Sequence, residues 1–158
     1  MSCVSFSKAF QDNMTALGMP APPTLFSSLA ATLKHLGVMI DALESVGSRA
    51  TVAQMIGATT LKGSFDAIEE MSAMFYIGAV IGSVDVARRA AGACGGNTAA
   101  AQFRTFTSWM SSRGALIPME LLTFVQNNRE VSEDSPRRRS YAMRARQYGE
   151  TRSSSAAA

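Results

Sequence analysis

The chain has 158 residues, enough for one domain with a buried core. It is 47% hydrophobic and only 17% charged, against roughly 25% charged in an average protein. Val, Ile and Tyr never alternate with polar residues over a strand's length, so the composition points away from a β-fold and predicts an all-α one.

The formal net charge of +3 is unevenly placed. Residues 1–134 carry nine Lys/Arg against eleven Asp/Glu, whereas residues 135–158 carry six Arg against one Glu. The body is therefore close to neutral, and any attraction to anionic partners belongs to the tail. No apolar run of about 7–15 residues stands near the start, so no Sec signal peptide is expected. The protein is predicted to be made in a cytoplasm and, where it leaves, to do so without a cleaved signal.

In chain order, Val4, Phe6, Ala9, Phe10, Met14 and Leu17 recur mostly three or four apart and predict a short amphipathic helix ended by Gly18. Residues 19–23, Met-Pro-Ala-Pro-Pro, form a rigid extended connector. Thr24 is the expected cap of a long helix with the stripe Leu25, Leu29, Leu33, Leu36, Ile40, Leu43 and Val46, and Gly47 follows as its stop. Ser48 or Thr51 starts another helix through Val52, Met55 and Ile56, with a break near Lys62-Gly63.

The centre of the chain is residues 64–101. A turn containing Asp66, Glu69 and Glu70 leads into residues 71–84, fourteen residues without a charge. A helix is expected over 64–93, with the three carboxylates at its positive N-terminal end. Gly78/Gly82 and Gly92/Gly96 are two G-x-x-x-G pairs. Ala79, Ser83, Ala87, Ala91 and Gly95 keep a small residue at every fourth position between them. Positions four apart share a helix face, so these residues form a smooth ridge that another backbone can approach closely, a device used for helix association in lipid. Fourteen residues fall short of the about 20 needed to cross a hydrocarbon core, and Asp85 interrupts them. An ordinary core helix and an inserting helix are both open readings.

Gly95-Gly96-Asn97 is a turn, and residues 98–112 read as a helix with Phe103, Phe106 and Met110 on one face. Residues 64–112 thus form an apolar small-residue hairpin. Pro118 opens a final helix with Met119, Leu122 and Val125 inward. Residues 131–158 lack an apolar stripe and are expected to be a flexible Arg-rich tail, with Arg137, Arg138, Arg139, Arg144 and Arg146 as contacts for an anionic surface. The expected architecture is a compact bundle of about five to six helices over residues 1–130, with a long central Gly/Ala-rich helix and a disordered basic tail.

No enzyme is expected. His35 and Cys94 are far apart without recognisable flanking residues, and Cys3 and Cys94 form no metal or disulfide pattern. No phosphate-binding glycine loop occurs. No cofactor or metal is predicted, and nucleic acid is not an expected partner, since only Tyr141 and Tyr148 interleave the arginines.

A small, signal-less, all-α chain with a short glycine-zipper stretch, here over residues 50–101, resembles the pore-forming antibacterial effectors that bacteria export by type VI secretion. The resemblance implies carriage inside rings of the haemolysin-coregulated tube protein, insertion of a helical hairpin into a target cell's inner membrane, and oligomerisation there into a small ion-conducting pore. It further implies neutralisation in the producer by a cognate immunity protein. It carries over Gly78, Gly82, Gly92 and Gly96 as zipper positions and nothing catalytic. A soluble helical adaptor, with the same ridge serving core or dimer packing, is the alternative.

Overall fold

A computed structural model describes residues 5–57, 59, 68–91 and 117–157. The described chain is all-helical. Its α-helices are α1 (Phe6–Ala16), α2 (Leu29–Val46), α3 (Val52–Gly57), α4 (Ala73–Ala91), α5 (Met119–Asn127) and α6 (Tyr141–Ala157), with short 3-10 helices at Arg129–Val131 and Pro136–Ser140.

Local chemistry sets most of the boundaries. Ser5 caps α1 by accepting from the Lys8 amide at 3.3 Å, and Gly18 takes the turn after it with φ +71°. The cap of α2 is Ser28, which accepts from the Ala31 amide at 3.1 Å, so the helix starts four residues later than the Thr24 expectation. Gly47, at φ +104°, ends it as expected. Thr51 and Gln54 form a reciprocal cap on α3. The Thr51 amide donates to Gln54 Oε1 at 3.0 Å, and the Gln54 amide donates to Thr51 Oγ1 at 3.3 Å.

The central helix is shorter than predicted. It begins at Ala73, not near Ser64, because the preceding backbone is committed elsewhere. Val52 donates to the Met71 carbonyl at 2.7 Å, Ala53 to that of Glu69 at 3.0 Å, and Ala73 to that of Ala50 at 3.0 Å. These bonds staple the start of α3 to the strand-like bend at Ser72. Glu69 and Glu70 therefore lie in the turn before α4 and not in its first turn, while Asp66 and the predicted helix at 98–112 lie outside the described residues.

α4 is the axis of the fold. No residue from Met71 to Ala90 is exposed, and α1, α2, α3, α5, α6 and the Arg129–Val131 turn all pack on it. Leu36, Ile40 and Leu43 of α2 are buried as expected, but Val46 is 41% exposed. In α5 the buried side chains are Leu121 and Val125, whereas Met119, expected inward, is 74% exposed. Pro118 sits outside the helix as its cap, not in its first turn.

The flexible-tail expectation is corrected over residues 131–149. Val131, Tyr141 and Ala145 are fully buried, and this segment lies against α4.

Candidate functional site: the glycine-lined helix and its cover

The predicted ridge residues Gly78, Ala79, Gly82, Ser83 and Ala87 are all buried on α4. Ala91 is its last residue, and Gly92, Gly95 and Gly96 lie outside the described residues. The glycine face is occupied from within. A Cβ placed on Gly78 would collide with the Phe124 ring of α5 and stand 3.4 Å from the Tyr141 hydroxyl. One on Gly82 would collide with the Val131 backbone, 2.5 Å from its carbonyl carbon. Both glycines are thus required by the approach of the C-terminal third of the chain.

The adjacent face meets α1. Asn13, buried, donates through Nδ2 to Ser83 Oγ and to the Val131 carbonyl, both at 2.8 Å. One amide therefore ties α1, α4 and the turn after α5 together. Sequence reading passed over Asn13 because a polar residue in an amphipathic helix reads as surface. Tyr76 also reaches outward from α4, donating to the Pro20 carbonyl of the proline connector at 2.9 Å. Its burial holds the phenol neutral far into the alkaline range.

At the end of the neutral run, Asp85 is buried and lies 3.4 Å from Arg88 and 3.5 Å from Arg89. Burial pushes its carboxyl above the ordinary range, against the opposing pull of Arg89 and Arg88. Arg89 in turn donates to the Ser132 carbonyl at 2.6 Å.

The C-terminal arginines divide into two sets. Arg144 points inward and donates to Glu130 Oε1 at 2.8 Å and to the Arg137 carbonyl at 3.0 Å, with its guanidinium 5.5 Å over the Tyr141 ring. Arg138 donates to the Glu133 carbonyl at 2.9 Å, and desolvation lowers its pKa. Arg137 is exposed but lies 3.6 Å from Glu130, and Arg139 and Arg146 are exposed. Glu130 itself is only 3% exposed. Tyr141 donates to the Phe75 carbonyl, and its burial raises the phenol well above its usual pKa.

Beside this cover, Met74, Phe75, Met119, Phe124, Asn127 and Tyr148 line an open groove of about 420 Å³. His35 is half-buried on α2, and burial followed by the neighbouring Lys34 lowers its pKa. Among the described residues, no three His, Cys, Asp or Glu side chains converge as a metal site would need. Also among them, no helix is long and apolar enough to cross a membrane. No protein-family model, curated protein or solved structure matches the chain.

Proposed function

We propose that the protein is a membrane-active antibacterial effector, which carries a glycine-lined apolar helix to a rival cell's inner membrane and oligomerises there into a small ion-conducting pore. The observation that supports this reading is α4: uncharged from Ala73 to Val84, sheathed along its length, and closely packed at Gly78 by the Phe124 ring and at Gly82 by the Val131 backbone. A helix free to leave its sheath offers the same glycine face to a second copy. The raised pKa of Asp85 eases the transfer, since a neutral carboxyl costs far less in lipid than a charged one. In this reading the protein leaves its producer in rings of the haemolysin-coregulated tube protein, and a membrane immunity protein protects the producer.

The test is dye or ion leakage from anionic liposomes on addition of the purified protein, together with depolarisation of cells that express it in the periplasm. Leakage is expected to increase on acidification. Vesicles that stay sealed across pH and lipid composition would remove the pore.

One observation favours a second reading, a helical interaction protein. Only residues 73–84 of the neutral run are helical, spanning about 18 Å, short of a hydrocarbon core of roughly 30 Å. In that reading the ridge serves internal packing alone, and sealed vesicles are the expected result.

A further inference from the structure

We propose that residues 128–149 form a strap over the glycine face of α4 whose second limb, 141–149, is releasable, being tied to the first, 128–133, by a clasp of Glu130 with Arg144 and Arg137. The strap follows α4 from its charged end back to its beginning. Arg89 holds the Ser132 carbonyl at 2.6 Å, the Val131 backbone lies on Gly82, and the Tyr141 hydroxyl donates to the Phe75 carbonyl. The Ser72 amide then donates to the Ala145 carbonyl at 3.0 Å, and Gly149 rests on the backbone of Glu70 and Met71.

The means of attachment are unusual for a core element. Among the described side chains of the strap, Val131 and Tyr141 are the only large hydrophobics fully buried. Beyond these, Ala145 is buried, Ala142 packs against the core and the Tyr148 ring lies 5.7 Å from that of Phe75, and the rest of the hold is polar or backbone-to-backbone. Segments with few buried apolar contacts open locally at lower free energy than the core around them. The clasp concentrates the tie between the two limbs at one carboxylate. Glu130 Oε1 receives Arg144 at 2.8 Å and has Arg137 at 3.6 Å, and the Glu130 side chain is 2% exposed while that of Arg137 is 61% exposed. Both cations belong to the strap itself, so the clasp ties limb 141–149 to limb 128–133. A buried carboxylate that loses a cation is strongly disfavoured, so opening the clasp frees the 141–149 limb from the other. What that release uncovers is the Tyr141-facing flank of Gly78 and the backbone of residues 70–72, while Val131 stays on Gly82.

The inference goes beyond the pore and needs no bilayer. Vesicles that stay sealed would defeat the pore and leave the strap standing. Native-state hydrogen exchange on the full-length protein tests it, because the Ser72 amide is protected by the strap itself. Ile40 and Leu43, buried in α2 away from the clasp, are the controls. In Glu130→Gln, exchange at Ser72 and at 141–149 is expected to rise together by about tenfold to a hundredfold, with Ile40 and Leu43 unchanged. In the wild type, raising KCl from about 0.1 to about 1 M should move the same amides in the same direction, because the Arg137 side of the clasp is open to screening. Opening of Ser72 in step with Ile40 and Leu43 would overturn the strap, as would a Ser72 amide that responds to neither change. Should Glu130→Gln fail to fold, the wild-type salt series decides by the same two outcomes.

Discussion

Gly78 and Gly82 are small for a reason that Gly37 does not share. A methyl group at Gly82 would have to displace the Val131 backbone, whereas nothing lies within 4 Å of a Cβ at Gly37. Gly82→Ala is therefore expected to destabilise the fold by about 1–3 kcal/mol through overpacking. Gly37→Ala, inside α2, should be neutral or stabilise by up to about 1 kcal/mol. Urea midpoints of the two variants check this, and equal shifts would contradict the close approach at Gly82. Asp85 gives a second expectation. Its folded pKa is raised above the reference value of 3.8, so between the two values the native state binds more protons than the unfolded chain. Stability from this group therefore increases as pH falls through that window and is lost as pH rises through the folded pKa. Relative to Asp85→Asn, the wild type should gain stability on acidification from neutral pH toward about pH 4. Urea titrations of both proteins at several pH values measure the difference. A wild type that loses stability relative to Asp85→Asn over this range would mean that the arginines outweigh burial.

Among the elements, the C-terminal segment departs furthest from its local sequence. Its charge run reads as solvated tail, yet it places Tyr141 in the core and Gly149 on the backbone before α4. Removing residues 136–158 is expected to lower unfolding free energy by at least about 2 kcal/mol, because burial of Tyr141 alone is worth that much. Thermal and urea denaturation of the truncated chain measure it, and unchanged stability would show the contact to be incidental. The reason this was hidden is physical. A periodicity search detects stripes of large apolar residues, and the segment is held by a buried ion pair at Glu130 and by backbone approach, neither of which leaves a period. The same holds for the start of α4. Residues 69–72 have helix-compatible side chains, but their backbone bonds to 50–53, a non-local pairing that no window can see. What depends on local chemistry was legible: α1 and its Gly18 stop, the Gly47 stop of α2 and the start of α3 at Thr51.

At the scale of the whole molecule, α4 lies between two unlike covers. On one side α1 packs on it, with Phe10 and Met14 buried and Asn13 bonded to Ser83, and α2 packs on it directly, with Leu36, Met39 and Ile40 buried. On the other lie α5 and the C-terminal segment, which meet glycine with one aromatic ring and a stretch of backbone. Area burial yields only about 25 cal/mol per Å², so a face of glycine, alanine and serine gains less from its cover than an equal length of leucine would. Separating such layers should cost less than unfolding an ordinary core of that length. A membrane-active protein built this way would surrender its sheath at a bilayer and transfer α4. With anionic liposomes, residues 71–101 should then become protected from protease while residues 24–47, the α2 side of the sheath, become more readily cut. A protein that uses α4 for internal packing alone predicts no lipid-dependent change in either region. Limited proteolysis with peptide mapping, with and without vesicles, separates the two, and identical cleavage maps would count against insertion.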